Sequence, residues 1–363
     1  MNILHLEASP GWGGQEIRIL RESEGMRARG HTVILAVMKK GKLIEEARKA
    51  GFTVYELNFH RCGWIGCLAA LFQIMRRHHI ELVNTHSSLD AWIGGIAARL
   101  SGRFVIRTRH LSTPVKPGIN SRILYGMLAD FVITTCAKVV PMISKQSGKK
   151  KELCQSIPTG VDPSRIRCQN GEAAEFREKL GLDAQDLLVG TACFMRSWKG
   201  IGDFLLAADS LKSVPGIKWV IIGGGHAGKY VEEAKRLGLE QLVYFTGHLD
   251  NPFPALSALD VFTLLSTAHE GVSQAILQAA YLSKPLIATS TGGLGEVCLD
   301  KKTGIRVDPF SPGQVARAVL NLKENPDLRK NLGEKARELV LEKFTLIQTL
   351  NQMEEVYKKV LSL

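Results

Sequence analysis

Short apolar runs alternate with helix-length segments along nearly the whole chain. The runs cover residues 3–6, 32–37, 53–57, 82–85, 104–108 and 131–134. After a break they resume at residues 187–192, 219–223, 242–246, 261–265, 285–288 and 304–307. Strand, helix and strand in series predict parallel sheets covered by helices on both faces. Two sets of six runs predict two doubly wound, Rossmann-like domains; a single eight-fold barrel is the alternative, and the central break speaks against it. That break, Ser156-Ile157-Pro158-Thr159-Gly160-Val161-Asp162-Pro163, packs prolines and a glycine into linker chemistry. A charged surface helix is expected over residues 172–180. Residues 346–363 read as a last helix with apolar positions at Leu346, Leu350, Met353, Val356, Tyr357 and Val360. No strand follows it, so it must dock on a domain already built. The expected division is 1–163, 164–343, and a terminal helix segment, 344–363, returning to the first domain.

Composition narrows this picture. The 363 residues suit two domains, and 45% hydrophobic with 23% charged residues is ordinary for a globular protein. The net charge of +12 favours anionic partners. No helix-turn-helix or RNA-binding signature accompanies it, so nucleic acid is not expected as a partner. The seven cysteines, at 62, 67, 136, 154, 168, 193 and 298, are odd in number, irregularly spaced and without a Cys-x-x-Cys pair. They read as reduced thiols, neither a disulfide framework nor a zinc site, and the expected location is the cytoplasm. The start, Met1-Asn2-Ile3-Leu4-His5-Leu6, reads as a strand rather than a signal peptide, and no apolar run is long enough to span a membrane.

Four turns carry candidate chemistry. The first strand leads into Pro10-Gly11-Trp12-Gly13-Gly14-Gln15-Glu16 and a helix from about Ile17. Such a turn either offers backbone N–H groups to a phosphate or merely turns tightly. Gly223-Gly224-Gly225-His226-Ala227-Gly228 fits Gly-x-Gly-x-x-Gly, but no acidic residue closes the following strand at the distance a dinucleotide site needs. Arg196-Ser197-Trp198-Lys199-Gly200 puts two cations at the carboxyl end of a strand, where parallel sheets bind ligands; alone it also fits a surface loop. The stretch from Ser266 to Ala279 runs from a strand through Glu270-Gly271 into a helix starting near Ser273, whose positive end favours an anion. A second glycine turn, Thr291-Gly292-Gly293-Leu294-Gly295-Glu296, follows the next strand.

Taken in order, these segments resemble the retaining glycosyltransferases of family 4, which have the GT-B architecture. The resemblance runs through Gly13-Gly14-Gln15-Glu16, Arg29-Gly30-His31-Thr32-Val33, Thr108-Arg109-His110, Ile157-Pro158-Thr159-Gly160-Val161-Asp162, Arg196-Ser197-Trp198-Lys199-Gly200, Glu270-Gly271-Val272-Ser273 and Gly292-Gly293-Leu294-Gly295-Glu296. It implies two domains facing a central cleft, with the acceptor bound mainly by the first and the nucleotide mainly by the second. It implies that Arg196 and Lys199 hold the donor diphosphate, that Glu270 contacts the transferred sugar beside the N–H groups of Gly271, Val272 and Ser273, and that His110 contacts the donor near the reacting centre. Gly13 and Gly14 would face the phosphates and acceptor, and Gly223, Gly225, His248, Gly292 and Gly293 complete the expected donor site.

Two departures stand out. Gln278 occupies the second glutamate of the family's Glu-x7-Glu motif, which bonds the nucleotide ribose; glutamine still accepts one hydrogen bond and can donate as well. The spacing from Arg196 to Lys199 is shorter than in many members. The expected reaction moves a sugar from a nucleoside-diphosphate sugar to a saccharide or lipid-linked acceptor with retention, in lipopolysaccharide or cell-surface polysaccharide synthesis. No cofactor or metal is expected, since cations and helix ends can stabilise the leaving group and the chain has no Asp-x-Asp pair. The apolar stretch 64–75 with Arg76-Arg77-His78-His79 after it is either a core helix or a contact with an anionic membrane, at the inner face of the cytoplasmic membrane. A same-fold epimerase, a sugar-nucleotide-binding module without catalysis and a dehydrogenase are the rival readings.

Overall fold

The computed structural model describes residues 1–60 and 63–363, so Cys62 lies outside the described residues. Two compact units result: Met1–Thr159 with Ile347–Leu363, and Gly160–Leu346. The first holds a sheet of β1 (Asn2–Glu7), β2 (Thr32–Met38), β3 (Thr53–Leu57), β4 (Leu82–Thr85), β5 (Phe104–Arg109), β6 (Phe131–Thr134) and β7 (Cys154–Ser156), in the order β3-β2-β1-β4-β5-β6-β7. The second holds β8 (Leu187–Ala192), β9 (Ile217–Ile222), β10 (Val243–Gly247), β11 (Val261–Leu264), β12 (Leu286–Thr289) and β13 (Gly304–Val307), in the order β10-β9-β8-β11-β12-β13. Every pairing between these strands is parallel.

The apolar runs are strands because both faces of each sheet are covered. β4, β6, β11 and β12 are buried at every residue. Each sheet winds outward in both directions from its first strand, so the chain reverses between β1 and β4, and again between β8 and β11. At such a reversal the connections leave to opposite sides, and a crevice opens at the carboxyl ends of the two strands.

Two local expectations need correction. β7, a seventh strand in the first sheet, has no apolar run to announce it: Cys-Gln-Ser is polar, short and at the sheet's edge, and it is recruited by pairing with β6. The first helix begins at Gly14 rather than near Ile17, because the side chain of Glu16 reaches back to the N–H of Gly13 and closes a cap there.

The terminal helix, Leu346–Leu361, buries Thr349, Leu350, Met353, Val356, Tyr357 and Val360 against the first unit. Polar contacts fix its seat. Tyr357 donates its hydroxyl to Glu22 at 2.5 Å and accepts from Asn84 at 3.1 Å; Asn84 accepts from Thr108 at 2.8 Å. The guanidinium of Arg18 bonds the carbonyl of Ile157 at 2.8 Å and lies 3.7 Å from Glu22. These side chains are buried, so each depends on the others for its partners. Replacing Tyr357 by Phe removes a donor from Glu22 and an acceptor from Asn84. The expected loss is about 1–3 kcal/mol, read as a lower urea midpoint for Tyr357→Phe with loss of amide-exchange protection concentrated in residues 14–28 and 346–361.

Candidate active site

The crevice of the second unit is built by the loops after β8 and β11. After β8 the chain runs through Phe194, Met195 and Arg196 into a single 3-10 turn, Ser197–Lys199, and then the helix Ile201–Ser210. Gly200 joins turn to helix with φ +70°, and a Cβ there would stand 2.1 Å from the carbonyl oxygen of Leu265. Glycine therefore lets the two loops touch, and Thr267 N–H donates to the carbonyl of Trp198 at 2.8 Å across the gap.

On the β11 side, His269 takes a left-handed backbone, φ +63°, immediately before Glu270. Non-glycine residues rarely sit there, and such positions cluster at ligand sites. The turn sends Glu270 back over the strand ends, where its Oε1 accepts from both Lys199 Nζ and Ser266 Oγ, the latter at 2.7 Å. The side chains of Lys199 and Glu270 are 18% and 7% exposed, so this ion pair is largely out of water. Both donors fall on one oxygen, and among the described residues none is placed on Oε2. The carbonyl of Ser266 accepts from Thr289 at 2.6 Å, and that of Glu270 from Gly293 N–H at 3.3 Å, so the end of β12 and the turn after it brace the backbone that carries Glu270.

Two helices begin beside this pair: Ile201–Ser210, and Gln274–Tyr281 with Ser273 as its N-cap. Neither has a side chain capping its first turn. Their leading N–H groups carry the positive ends of the helix dipoles, which with Lys199 make this crevice suited to an anion. Gly271 and Ser273 are half-exposed and Val272 is buried; Gln278 is half-buried within the second helix, and Gly292, at φ +55°, turns the chain after β12.

Other predicted residues engage elsewhere. The guanidinium of Arg196 lies 5.3 Å from the Phe194 ring and 5.2 Å from that of Trp198, facing an open pocket of about 440 Å³ that His226 and Lys229 also line. Arg196 and Lys199 thus have different partners. Gly223 and Gly225 have φ +125° and +110°, and side chains there would strike the backbone of Cys193 and Met195. Met195 N–H donates to Gly224 and His226 N–H to Met195, so these glycines let the loop after β9 clasp the loop after β8. His248 is exposed at the end of β10, 3.6 Å from Asp250.

Gly13, Gly14 and His110 belong to the crevice of the first unit. The N–H of Gly13 donates to Glu16 Oε2 at 2.9 Å, and Glu7 accepts from Ser9 N–H at 2.7 Å and from the Gln15 amide. A phosphate at this turn would have to displace a carboxylate. His110 follows β5 and bonds His86 at 3.0 Å. Among the described residues no cluster of three His, Cys, Asp or Glu side chains is arranged to hold a metal. Ser266, His269 and Trp198, which shape the pair in the second unit, were not singled out by sequence; the one signal was their place inside the two motifs.

A model of the family described as glycosyl transferases group 1 matches residues 172–339, and one described as glycosyltransferase family 4 matches residues 12–165. The chain belongs to the family 4, group 1 glycosyltransferases. It is 33% identical over 199 residues to a GDP-mannose-dependent alpha-(1-6)-phosphatidylinositol monomannoside mannosyltransferase of Mycobacterium tuberculosis, a match covering 51% of this chain and 50% of that one. It spans about half to three fifths of the length of several curated relatives that it matches. Among solved structures, a glycosyltransferase from Rickettsia africae superposes with a TM-score of 0.91 at 20% identity, over 99% of this chain and 98% of that one. Anabaena HepE in complex with UDP-glucose gives 0.84 at 21%, over 99% and 100%. These likenesses establish the GT-B fold of the chain.

Burial, with Asp90 close by, pushes the Glu7 carboxyl up to about 8, and burial pushes Asp90 up to about 6. For Glu7 the folded state holds its proton more tightly than the unfolded chain. Its ionisation therefore costs stability progressively as pH rises from the ordinary carboxylate range, near 4.5, to about 8. Relative to wild type, Glu7→Gln should gain stability between those two pH values and show no further change above or below them, as measured by denaturant midpoints across pH.

Proposed function

We propose that this chain transfers a sugar from a nucleoside-diphosphate sugar to a saccharide or lipid-linked acceptor with retention of anomeric configuration, in the synthesis of a cell-surface glycan such as lipopolysaccharide. The observation that carries the reading is the buried Lys199–Glu270 pair at the reversal between β8 and β11, with a second carboxylate oxygen left for a ligand. The bond from the anomeric carbon to the diphosphate breaks and one to an acceptor oxygen forms, so negative charge builds on the diphosphate. Lys199, Arg196 and the two helix starts supply positive potential to it without a resident metal. Glu270 Oε2 accepts from a sugar hydroxyl, the Gln278 amide meets the ribose, and His110 contacts the donor. Retention rests on the family resemblance, and a nucleotide-sugar donor fits the UDP-glucose and GDP-mannose named for similar proteins.

The test pairs binding with turnover. One of UDP, GDP or ADP should raise the melting temperature of the wild-type protein. With the matching sugar nucleotide, Glu270→Gln and Lys199→Met should lower kcat by about 100-fold or more while circular dichroism stays native. Wild-type-like turnover in either variant overturns the site.

Membrane contact belongs to the same proposal. No helix among the described residues is long and apolar enough to cross a bilayer. The helix Trp64–Arg77 buries Cys67, Leu71, Ile74 and Met75, while its other face exposes Ile65, Phe72, Arg76 and Arg77. Apolar side chains beside arginines suit the surface of an anionic membrane. Co-sedimentation with phosphatidylglycerol vesicles is expected at low salt and should fall as salt screens the attraction; no binding at low salt refutes the contact.

A further inference from the structure

Three histidines, one within β1 and two just after β4 and β5, meet in the crevice of the first unit. His5, in β1, places Nδ1 at 2.9 Å from His86 Nε2, and His86, after β4, places Nδ1 at 3.0 Å from His110 Nε2. The first two rings lie within 10° of parallel, and both are buried; His110 is half-buried at the outer end. Ring nitrogens this close hold a proton between them and leave no room for a metal ion. The rings therefore form a hydrogen-bonded row crossing the reversal between β1 and β4.

In a row of neutral imidazoles each contact carries one proton, so only two directions exist. If the protons point inward, His5 Nε2 bears an N–H that is buried and has no protein acceptor. If they point outward, the same atom is a bare acceptor. A buried orphan N–H is the rarer and costlier of the two. We infer that the row is polarised outward from His5 through His86, so that His110 is held as a neutral ring whose Nδ1–H is a fixed hydrogen-bond donor, with His5 and His86 as its positioning residues.

The surrounding charges support neutrality. Arg18, from the helix Gly14–Ala28, and Arg107, from β5, both act against an imidazolium at His86 and His110. Burial lowers both rings well below the usual histidine range, and it lowers His5 too, despite Glu22 on the same helix as Arg18. The remaining acids are committed. Glu22 accepts from Tyr357 of the terminal helix; Asp90, from the helix Ser88–Leu100, accepts from the N–H groups of His86 and Ser87; Glu7 of β1 accepts from Ser9 and Gln15. Resting on the donor contact proposed above, His110 then neither gives up nor gains a proton during transfer. It donates a hydrogen bond to an oxygen of the sugar nucleotide.

Free histidine prefers the Nε2–H tautomer, so the row predicts an unusual signature. Long-range proton–nitrogen spectra of protein carrying 15N-labelled histidine should show His5, His86 and His110 all as Nδ1–H tautomers, unchanged between pH 8 and pH 6. An Nε2–H tautomer at His110, or imidazolium signals there in that range, overturns the inference without any variant. In His5→Leu the bare acceptor moves to His86 Nε2, and the same preference keeps His110 as Nδ1–H, so the tautomer should persist while the folded state loses the His5–His86 bond; an Nε2–H tautomer at His110 in the folded variant overturns the inference. His5→Asn, whose amide nitrogen stands where Nδ1 stood, restores the donor to His86 and should regain stability over His5→Leu with His110 still Nδ1–H. The spectra require no substrate. If they hold and His110→Phe nevertheless turns over like wild type, it is the donor contact that fails and not the polarity of the row.

Discussion

The structure depends on one constraint of parallel sheets: each strand must be reached by a crossover, and a sheet that grows in both directions from its first strand must reverse once. That reversal falls between β1 and β4 in one unit and between β8 and β11 in the other. Helices cannot close over both neighbours at that point, so the carboxyl ends of two strands remain open. The Lys199–Glu270 pair hangs from one of these openings and the histidine row from the other. The buried strands behind them form a stiff floor, while the loops in front carry the side chains. Lys199 meets Glu270 because β8 and β11 are neighbours in space, although the two residues lie 71 positions apart in the chain.

The terminal helix has a comparable role in the first unit. Its Tyr357 reaches Glu22 and Asn84, and Asn84 leads to Thr108 on β5, two residues before His110. Arg18, held by Glu22 and Ile157, is one of the cations that keep the histidine row neutral. Residues near the chain's last helix thus help set the electrostatics of the crevice through contacts made wholly inside this unit. An apolar helix face would have served docking as well. The buried polar face does more, because the bonds of Tyr357 to Glu22 and Asn84 and of Arg18 to Ile157 are made in one arrangement only.

Much of this was legible in the sequence, and the parts that were not share a cause. Buried parallel strands are continuous apolar runs, so twelve of them stand out; β7 does not, since an edge strand of three residues owes its existence to its neighbour. The motif around Glu270 and the cations before Gly200 were visible because turn, charge and helix start are contiguous. Their geometry was less so. Sequence pairs Arg196 with Lys199, whereas one stacks between aromatic rings and the other faces a carboxylate. The glycines at 223 and 225 look like a phosphate cradle, yet their positive φ angles and the Cys193 and Met195 backbone against them show close packing of two loops. The histidine row was invisible: His5 and His86 are 81 positions apart, and a histidine in a strand carries no periodicity that sets it aside.

The two crevices share a topology but differ in charge, and this difference assigns the work between them. In the first unit the turn after β1 is lined by Glu7 and Glu16, the N–H of Gly13 is already taken, and the histidines are neutral. Such a surface offers hydrogen-bond donors and acceptors with no free N–H at the Gly13 turn. In the second, the Glu270 carboxylate at the reversal is paired with Lys199, and two helix starts present N–H groups without side-chain caps. In the proposed reaction a departing nucleoside diphosphate gains charge as its bond to the sugar breaks, and Lys199 with the two helix starts of the second crevice is placed to stabilise it. On the same proposal the first crevice meets hydroxyl-rich parts of the substrates, for which the N–H donor inferred at His110 and the carboxyl acceptors are suited partners. Equal folds thus acquire unequal roles through a few side chains at the same point of the sheet.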